Sequence, residues 1–258
     1  MKIKYSWLFI LPLMIAFSCD TINEPYIENT NGQLNSDVIL IEFTGMKCVY
    51  CPQGHIAIDE LKDLYGDKIR PIAIHAGEFA EPDVEFPADY RTDAGNTLYD
   101  YIEPLGFPSG SINSFSPDSV VAVTAWATKV AQQGMQKPVA LLTVTVSIVD
   151  SVINLKIITQ GTRMTESDYR LCAYLTEDKV IGKQKDGSKT IEDYQHNHML
   201  RAVFGNVWGK EIDFGTKSES NFSLKLQSKW NKDNLDVVPF ILDYNSKKII
   251  PAEVNFTE

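Results

Sequence analysis

The sequence predicts an α/β segment followed by an all-β segment, and three observations carry that reading. The run Val38-Ile39-Leu40-Ile41-Glu42-Phe43 is nearly continuous apolar, as a strand covered on both faces would be. A dithiol, Cys48-Val49-Tyr50-Cys51, follows it at once and precedes a stretch with helical periodicity. From Pro138 onward the apolar period shortens to two residues, the period of half-buried strands.

The chain begins with a targeting segment. Lys2 and Lys4 precede an apolar run from Tyr5 to Phe17, too short to span a bilayer comfortably, so residues 1–18 read as a secretory signal. Cys19, directly after the small Ser18, resembles the lipidated cysteine of a bacterial lipobox, which predicts an N-terminal lipid anchor at Cys19. Ala16 and the bulky Phe17 depart from that pattern, and plain cleavage with secretion is the alternative. Residues 19–36 are polar, with Pro25 and Gly32, and read as a tether.

Residues 37–136 alternate between strand and helix. After the dithiol, Pro52 fits a first helical turn, Ile58, Leu61 and Tyr65 recur at helical spacing, and Gly66 ends the pattern. Ile69 to His75 gives a second buried strand, so the dithiol lies at the carboxyl end of the first strand of a right-handed crossover. An acidic, proline-bearing loop from Glu78 leads to a helix from Asp93 to Ile102, and residues 78–104 read as an insertion over the site. Gly106-Phe107-Pro108-Ser109 leads into Ile112, and a helix from Ser119 to Gln133 turns Val123, Trp126, Ala127 and Val130 inward.

Residues 137–258 hold the alternating runs. Leu142 to Ile148, Val152 to Thr159, Leu171 to Leu175, Phe222 to Leu226, Val237 to Asp243 and Ile249 to Phe256 are separated by turn signals such as Lys185-Asp186-Gly187-Ser188. About seven strands in such a length suggest an immunoglobulin-like sandwich. Cys172 falls on one of them and reads as a small apolar filler.

Taken together, the strand ending in Glu42 and Phe43, the C-V-Y-C dithiol and the F-P-S loop resemble the thioredoxin-like proteins over roughly a hundred residues. The resemblance implies that Cys48 is the exposed attacking thiol, Cys51 the buried resolving thiol and Pro108 a cis-proline packed against them. It also makes Glu42 a buried acid that accepts the Cys51 proton, whereas Glu42 read as a strand-end residue faces solvent. Lys47 stands where that family usually has Trp, and a cation beside Cys48 favours the thiolate. The final hairpin of the pattern is short here, abbreviated or supplied by Val120 to Val123. Asp193-Tyr194-Gln195-His196-Asn197-His198-Met199-Leu200-Arg201, with the lipobox, dithiol and F-P-S-G loop, further resembles the twenty-eight-kilodalton outer-membrane-protein family of lipoproteins. That likeness implies an outer-membrane, lipid-anchored location on the periplasmic or surface face, a thioredoxin-like region and a β-rich C-terminal region.

Charge and cysteine usage narrow the function classes. Without residues 1–18 the chain has 22 basic and 34 acidic residues, a net charge of −12 that argues against nucleic acid or an anionic lipid surface as partner. Four cysteines are too few for a stapled scaffold, and the one close pair suits a redox site in an oxidising compartment. His196 and His198 would share one strand face, but with no carboxylate or thiol at ligand spacing they read as a loop contacting the other domain. His55 reads as a helix-surface residue. Cys48, Cys51 and His75 also invite a copper site, with the cysteines one residue closer than such sites use. No metal and no dissociable cofactor is expected.

The expected function is thiol-disulfide exchange on protein substrates by an exported, lipid-anchored protein. The alternative is an outer-membrane or surface binding module, adhesin-like or receptor-like, that keeps a structural or vestigial disulfide and binds an extracytoplasmic protein partner.

Overall fold

The computed structural model describes residues 33–161 and 167–257. The signal segment, Cys19 and most of the tether therefore lie outside the described residues. Packing starts within the stretch read as tether. Leu34 is buried against Gly134, and the amides of Asn35 and Ser36 donate to Gly134 O.

Strand β1 (Val38–Thr44) is buried along its whole length, as its unbroken apolar run requires. Its even-numbered residues face helix α1 (Cys51–Tyr65), and Ile39, Ile41 and Phe43 face the opposite side. Gly66 ends α1 with a positive φ, and strand β2 (Ile69–His75) returns parallel to β1, pairing Val38 with Ile69 through to Thr44 with His75. Helix α2 (Asp93–Ile102), capped by Thr92 Oγ1 on Gly95 N–H, packs Leu98 and Ile102 on the second face. Strand β3 (Ser109–Ile112) pairs antiparallel with β1, and strand β4 (Val121–Ala122) pairs with β3. Helix α3 (Trp126–Gly134) is shorter than expected because residues 121–122 are taken by that edge strand. Trp126 and Val130 point inward, while Ala127 is exposed.

The alternating runs become strands β5 (Ala140–Val149), β6 (Val152–Gly161) and β7 (Tyr169–Glu177). A hairpin of β8 (Val180–Asp186) and β9 (Lys189–His196) comes next, with strand β10 (Met199–Val203) directly after it. Strands β11 (Lys210–Glu211), β12 (Ser218–Lys225), β13 (Leu235–Asp243), β14 (Lys248–Ile249) and β15 (Ala252–Thr257) complete the chain.

These strands divide into sheets in a way the sequence does not display. β12, β6, β5 and β15 form one sheet, whose apolar face packs on β7 and β13 through Leu142, Leu155, Ile157, Leu171 and Ile241. The other sheet runs β14-β13-β7-β10-β2-β1-β3-β4, with β11 also on β7. Residue 136 is thus a change of periodicity, not an edge of the sheet. β10 joins β2 where Met199 pairs with Ala73 and Ala73 N–H donates to His198 O at 2.8 Å. One apolar core accordingly holds Ile41, Ile72 and Ile74 together with Tyr174, Leu200 and Phe240.

Asp37 fastens the start of β1 to the four-stranded sheet. Its carboxylate accepts from Arg70 Nε at 2.8 Å, Lys68 Nζ at 3.2 Å and the Val254 amide at 3.2 Å, with Asp37 and Arg70 both buried. Removing one partner of a buried charged pair leaves the other uncompensated. Asp37→Ala should lower stability by about 3–5 kcal/mol in denaturant unfolding, with Asp37→Asn losing less.

Candidate functional site

Cys48 and Cys51 are joined as a disulfide with Cα atoms 5.4 Å apart. The loop that presents them is folded by local bonds: Cys48 N–H donates to Gly45 O at 3.0 Å and Gln53 N–H to Tyr50 O at 3.1 Å. Cys51 is the first residue of α1, so Cys48 sits just ahead of the helix. Burial departs from expectation. Cys51 is fully buried, but Cys48, expected to be exposed, is only 2 % exposed.

Three segments cover the pair. Lys47 N–H donates to Phe79 O at 3.0 Å, and Gly45 packs so closely on the Phe79–Ala80 backbone that no side chain fits there. The loop after β2 therefore lies against the dithiol, as the expected insertion would. The Lys47 ammonium pairs with Asp83 at 3.3 Å instead of standing free beside Cys48, and bonds from the Phe86 amide and Lys47 hold the Asp83 carboxyl below its ordinary range. The third cover is the β8–β9 hairpin. Lys185 N–H donates to Met46 O at 2.8 Å, and Gly187 N–H to Val49 O at 3.0 Å. The buried Gln184 amide reaches Cys48 O at 3.0 Å.

Glu42 lies beneath α1 and is fully buried, not at a solvated strand end. Its pairing with Ala73 and Gly110 sets it between β2 and β3. Burial, and then the charge of Asp59, push its carboxyl well above the ordinary value, and neither oxygen has a hydrogen-bond partner. The Phe107–Pro108 bond is cis. Glu42, Pro108 and Trp126 converge on Gly54, three residues after Cys51: a Cβ there would lie 2.5 Å from Glu42 Oε1, 3.1 Å from Pro108 Cβ and 3.2 Å from Trp126 Cη2. Three of the expected site residues are thus gathered around the first turn of α1.

The histidines belong to the same place, which the sequence reading did not foresee for His55 and His75. His55 is not a free helix-surface residue. Its Nε2 lies 3.0 Å from Thr44 Oγ1 and its Nδ1 2.7 Å from the Tyr194 hydroxyl of β9. The rings of His75 and His196 are 5.4 Å apart and both contact Tyr90, and His196 also contacts Tyr194. Burial pushes His55 down to about 3 and His196 to about 4, and holds His75 well below its ordinary value. The 3.6 Å separation of His55 Nε2 and Glu42 Oε1 is therefore no ion pair, since burial keeps the imidazole neutral and the carboxyl protonated. A cavity of about 30 Å³ beside Glu42, His55, Asp59 and Tyr194 has room for a water molecule. Among the described residues no His, Cys, Asp and Glu cluster has the geometry of a metal site. Cys172 is fully buried in β7, and burial keeps its thiol protonated.

Comparison with known proteins follows from this architecture. The family described as outer membrane protein Omp28 matches residues 95–255. Among solved structures the chain is similar to HBP35 of Porphyromonas gingivalis, with a TM-score of 0.66, 18 % identity, and coverage of 87 % of this chain and 79 % of that one. It also matches a domain of the outer membrane lipoprotein Omp28 from Porphyromonas gingivalis, with a TM-score of 0.32, 14 % identity, and coverage of 45 % of this chain and 98 % of that one. At these identities the likeness to HBP35 is one of fold. No curated protein sequence matches. No helix among the described residues is long and apolar enough to cross a membrane.

Two outcomes follow from the site. A histidine kept neutral in the fold ionises first in the unfolded chain, so the stability it contributes is present above about pH 6.5 and lost as pH falls toward the folded value. Unfolding free energy should therefore drop between pH 6.5 and 4, by about 1.4 kcal/mol per unit of depression, and His196→Gln should flatten the decline. Glu42 has the opposite sign: its contribution is lost as pH rises through its raised value, and Glu42→Gln should be more stable at pH 8. Separately, Gly54→Ala should cost about 1–3 kcal/mol through overpacking on Glu42 and Pro108, read by thermal unfolding.

Proposed function

This chain belongs to the Omp28 family of outer membrane proteins and so resides at the outer membrane, and we propose that it carries out thiol-disulfide exchange there through Cys48 and Cys51. The observation that carries the proposal is the dithiol at the carboxyl end of β1 with a buried carboxyl beneath the helix that follows it. Active centres of open α/β sheets occupy that end of the strands.

We read residues 37–136 as a thioredoxin-like unit. Supporting it are the strand order β2-β1-β3-β4, the parallel β1–β2 crossover through α1, and the antiparallel β3 that starts one residue after Pro108. The C-terminal strands we read as an immunoglobulin-like sandwich, supported by two sheets packed face to face over one core. Anchoring through a lipid on Cys19 is part of the same proposal and rests on the sequence alone.

In the oxidised form described, a substrate thiolate attacks Cys48 Sγ. The Cys48–Cys51 bond breaks, a mixed disulfide forms between Cys48 and the substrate, and Cys51 leaves as a thiolate that takes the Glu42 proton. A second substrate thiolate then attacks the substrate sulfur of the mixed disulfide and releases Cys48. The substrate dithiol is oxidised to a disulfide and the protein is reduced to a dithiol; the reverse sequence reduces a substrate disulfide. Glu42 suits the proton step because burial keeps its carboxyl protonated until a thiolate appears beside it. His55 and Tyr194 bracket the small cavity through which that proton is replaced.

The burial of Cys48 favours a second reading, in which the bond is structural and the protein is a binding module at the outer membrane. Equilibration of the full chain in glutathione buffers separates the two. Exchange chemistry predicts a reduction potential above about −270 mV, and a value below about −300 mV marks a structural bridge. With exchange, Cys48→Ser abolishes turnover of a protein dithiol while circular dichroism is unchanged.

A further inference from the structure

The dithiol loop already binds an extended peptide, one that belongs to the same chain. Lys185 and Gly187 donate their amides to Met46 O and Val49 O, carbonyls that flank Cys48 on either side. Alternate N–H groups of one extended strand set against one line of carbonyls form the pattern by which peptides add to an exposed backbone edge. The pattern uses no side chain of residues 185 or 187, so any extended polypeptide presents the same donors at the same interval.

The resident strand is held weakly. β8 and β9 pair only with each other, and a two-stranded hairpin is marginal alone. Its contact with the rest of the molecule is polar. The Gln184 Oε1 atom, both ring nitrogens of His196, and those of His75 beneath them are buried without hydrogen-bond partners. Around the hairpin's rim, Lys185 and Thr190 meet Glu85 at 3.2 Å in contacts open to solvent. Next to it Tyr50 and Val84 expose apolar side chains, 61 % and fully, which a peptide laid over the loop would cover.

We propose that Met46 O and Val49 O form a docking track for an extended polypeptide substrate, that residues 184–187 are its resident occupant, and that substrate displaces them before its sulfur reaches Cys48. The proposal rests on the thiol-exchange reading for its purpose, and its test needs no thiol. Gln184 is a positioning residue here, since its amide ties the occupant to Gly45 O and Cys48 O.

The experiment uses the full chain carrying Cys48→Ser and Cys51→Ser, with reduced, carboxymethylated ribonuclease as an unfolded probe that has no free thiol. Amide hydrogen exchange at Lys185 and Gly187 should quicken at least tenfold when the probe saturates, with β1 amides unchanged. Adding Gln184→Ala should tighten probe binding several-fold, because the competitor is loosened. Exchange at the two amides that the probe leaves unchanged or slows overturns the proposal, as does a Gln184→Ala variant with equal or weaker binding. Should the double serine variant fail to fold, the reduced wild-type chain and its Gln184→Ala variant are compared for alkylation of Cys48 by a bulky maleimide. Faster reaction in the variant supports the displaced occupant, and equal rates overturn it. A structural value of the reduction potential would end the exchange reading while leaving the binding result to stand on its own.

Discussion

The pairing of β10 with β2 is the constraint from which the rest of the molecule follows. A parallel strand such as β2, rich in Ile and buried on both faces, cannot be left as an open edge. The C-terminal half supplies the missing neighbour at Met199, and in doing so fuses two runs of strands into one sheet. Because β9 ends at His196 and the chain passes through His198, at positive φ, straight into β10, the hairpin has its base fixed beside His75. Its tip then reaches the dithiol loop. The cover over Cys48 is thus a by-product of how the edge of β2 is closed.

That closure gathers polar groups in a dry place. Glu42, His75, Gln184 and His196 each bury atoms without a hydrogen-bond partner, an arrangement that costs about 1–3 kcal/mol per group. The apolar core around Ile41, Ile74 and Phe240 offsets such a cost. All four histidines of the chain meet at this one end of the sheet, drawn from α1, β2, the end of β9 and the turn after it. Unfavourable burial concentrated at the mouth of a strand end is a mark of a site kept for chemistry or binding, and not for stability alone.

Much of the first hundred residues was legible in the sequence because their signals are local. The apolar run of β1, the helical spacing of Ile58 and Leu61, the stop at Gly66 and the helix from Asp93 to Ile102 each appear where their residues demand. The helix expected from Ser119 began only at Trp126, since the pairing of Val121 with Gly110 is a contact between segments and leaves no periodic trace. In the C-terminal half the alternating runs were readable as strands, but not which sheet each would join. β8 and β9 were not readable at all: Lys183, Lys185 and Glu192 give them no apolar face, and only the turn at Gly187 shows. For the site, the dithiol, Glu42 and Pro108 carry a motif. The burial of Cys48 and the meeting of His55 with Tyr194 depend on residues more than a hundred positions apart, which spacing cannot report.

The place of β1 within the sheet has a mechanical meaning as well. Asp37 is stitched to Ala252 and Val254 at the edge of the four-stranded sheet, and β1 itself lies between β2 and β3, with neighbours along both sides. A pull transmitted from the residues before Leu34 would act along the strand axis. It would load the hydrogen bonds of both ladders together in shear, instead of opening them one at a time like a zipper. A chain held at its leading end can therefore bear tension there while the hairpin at the far end of the same strand remains free to move.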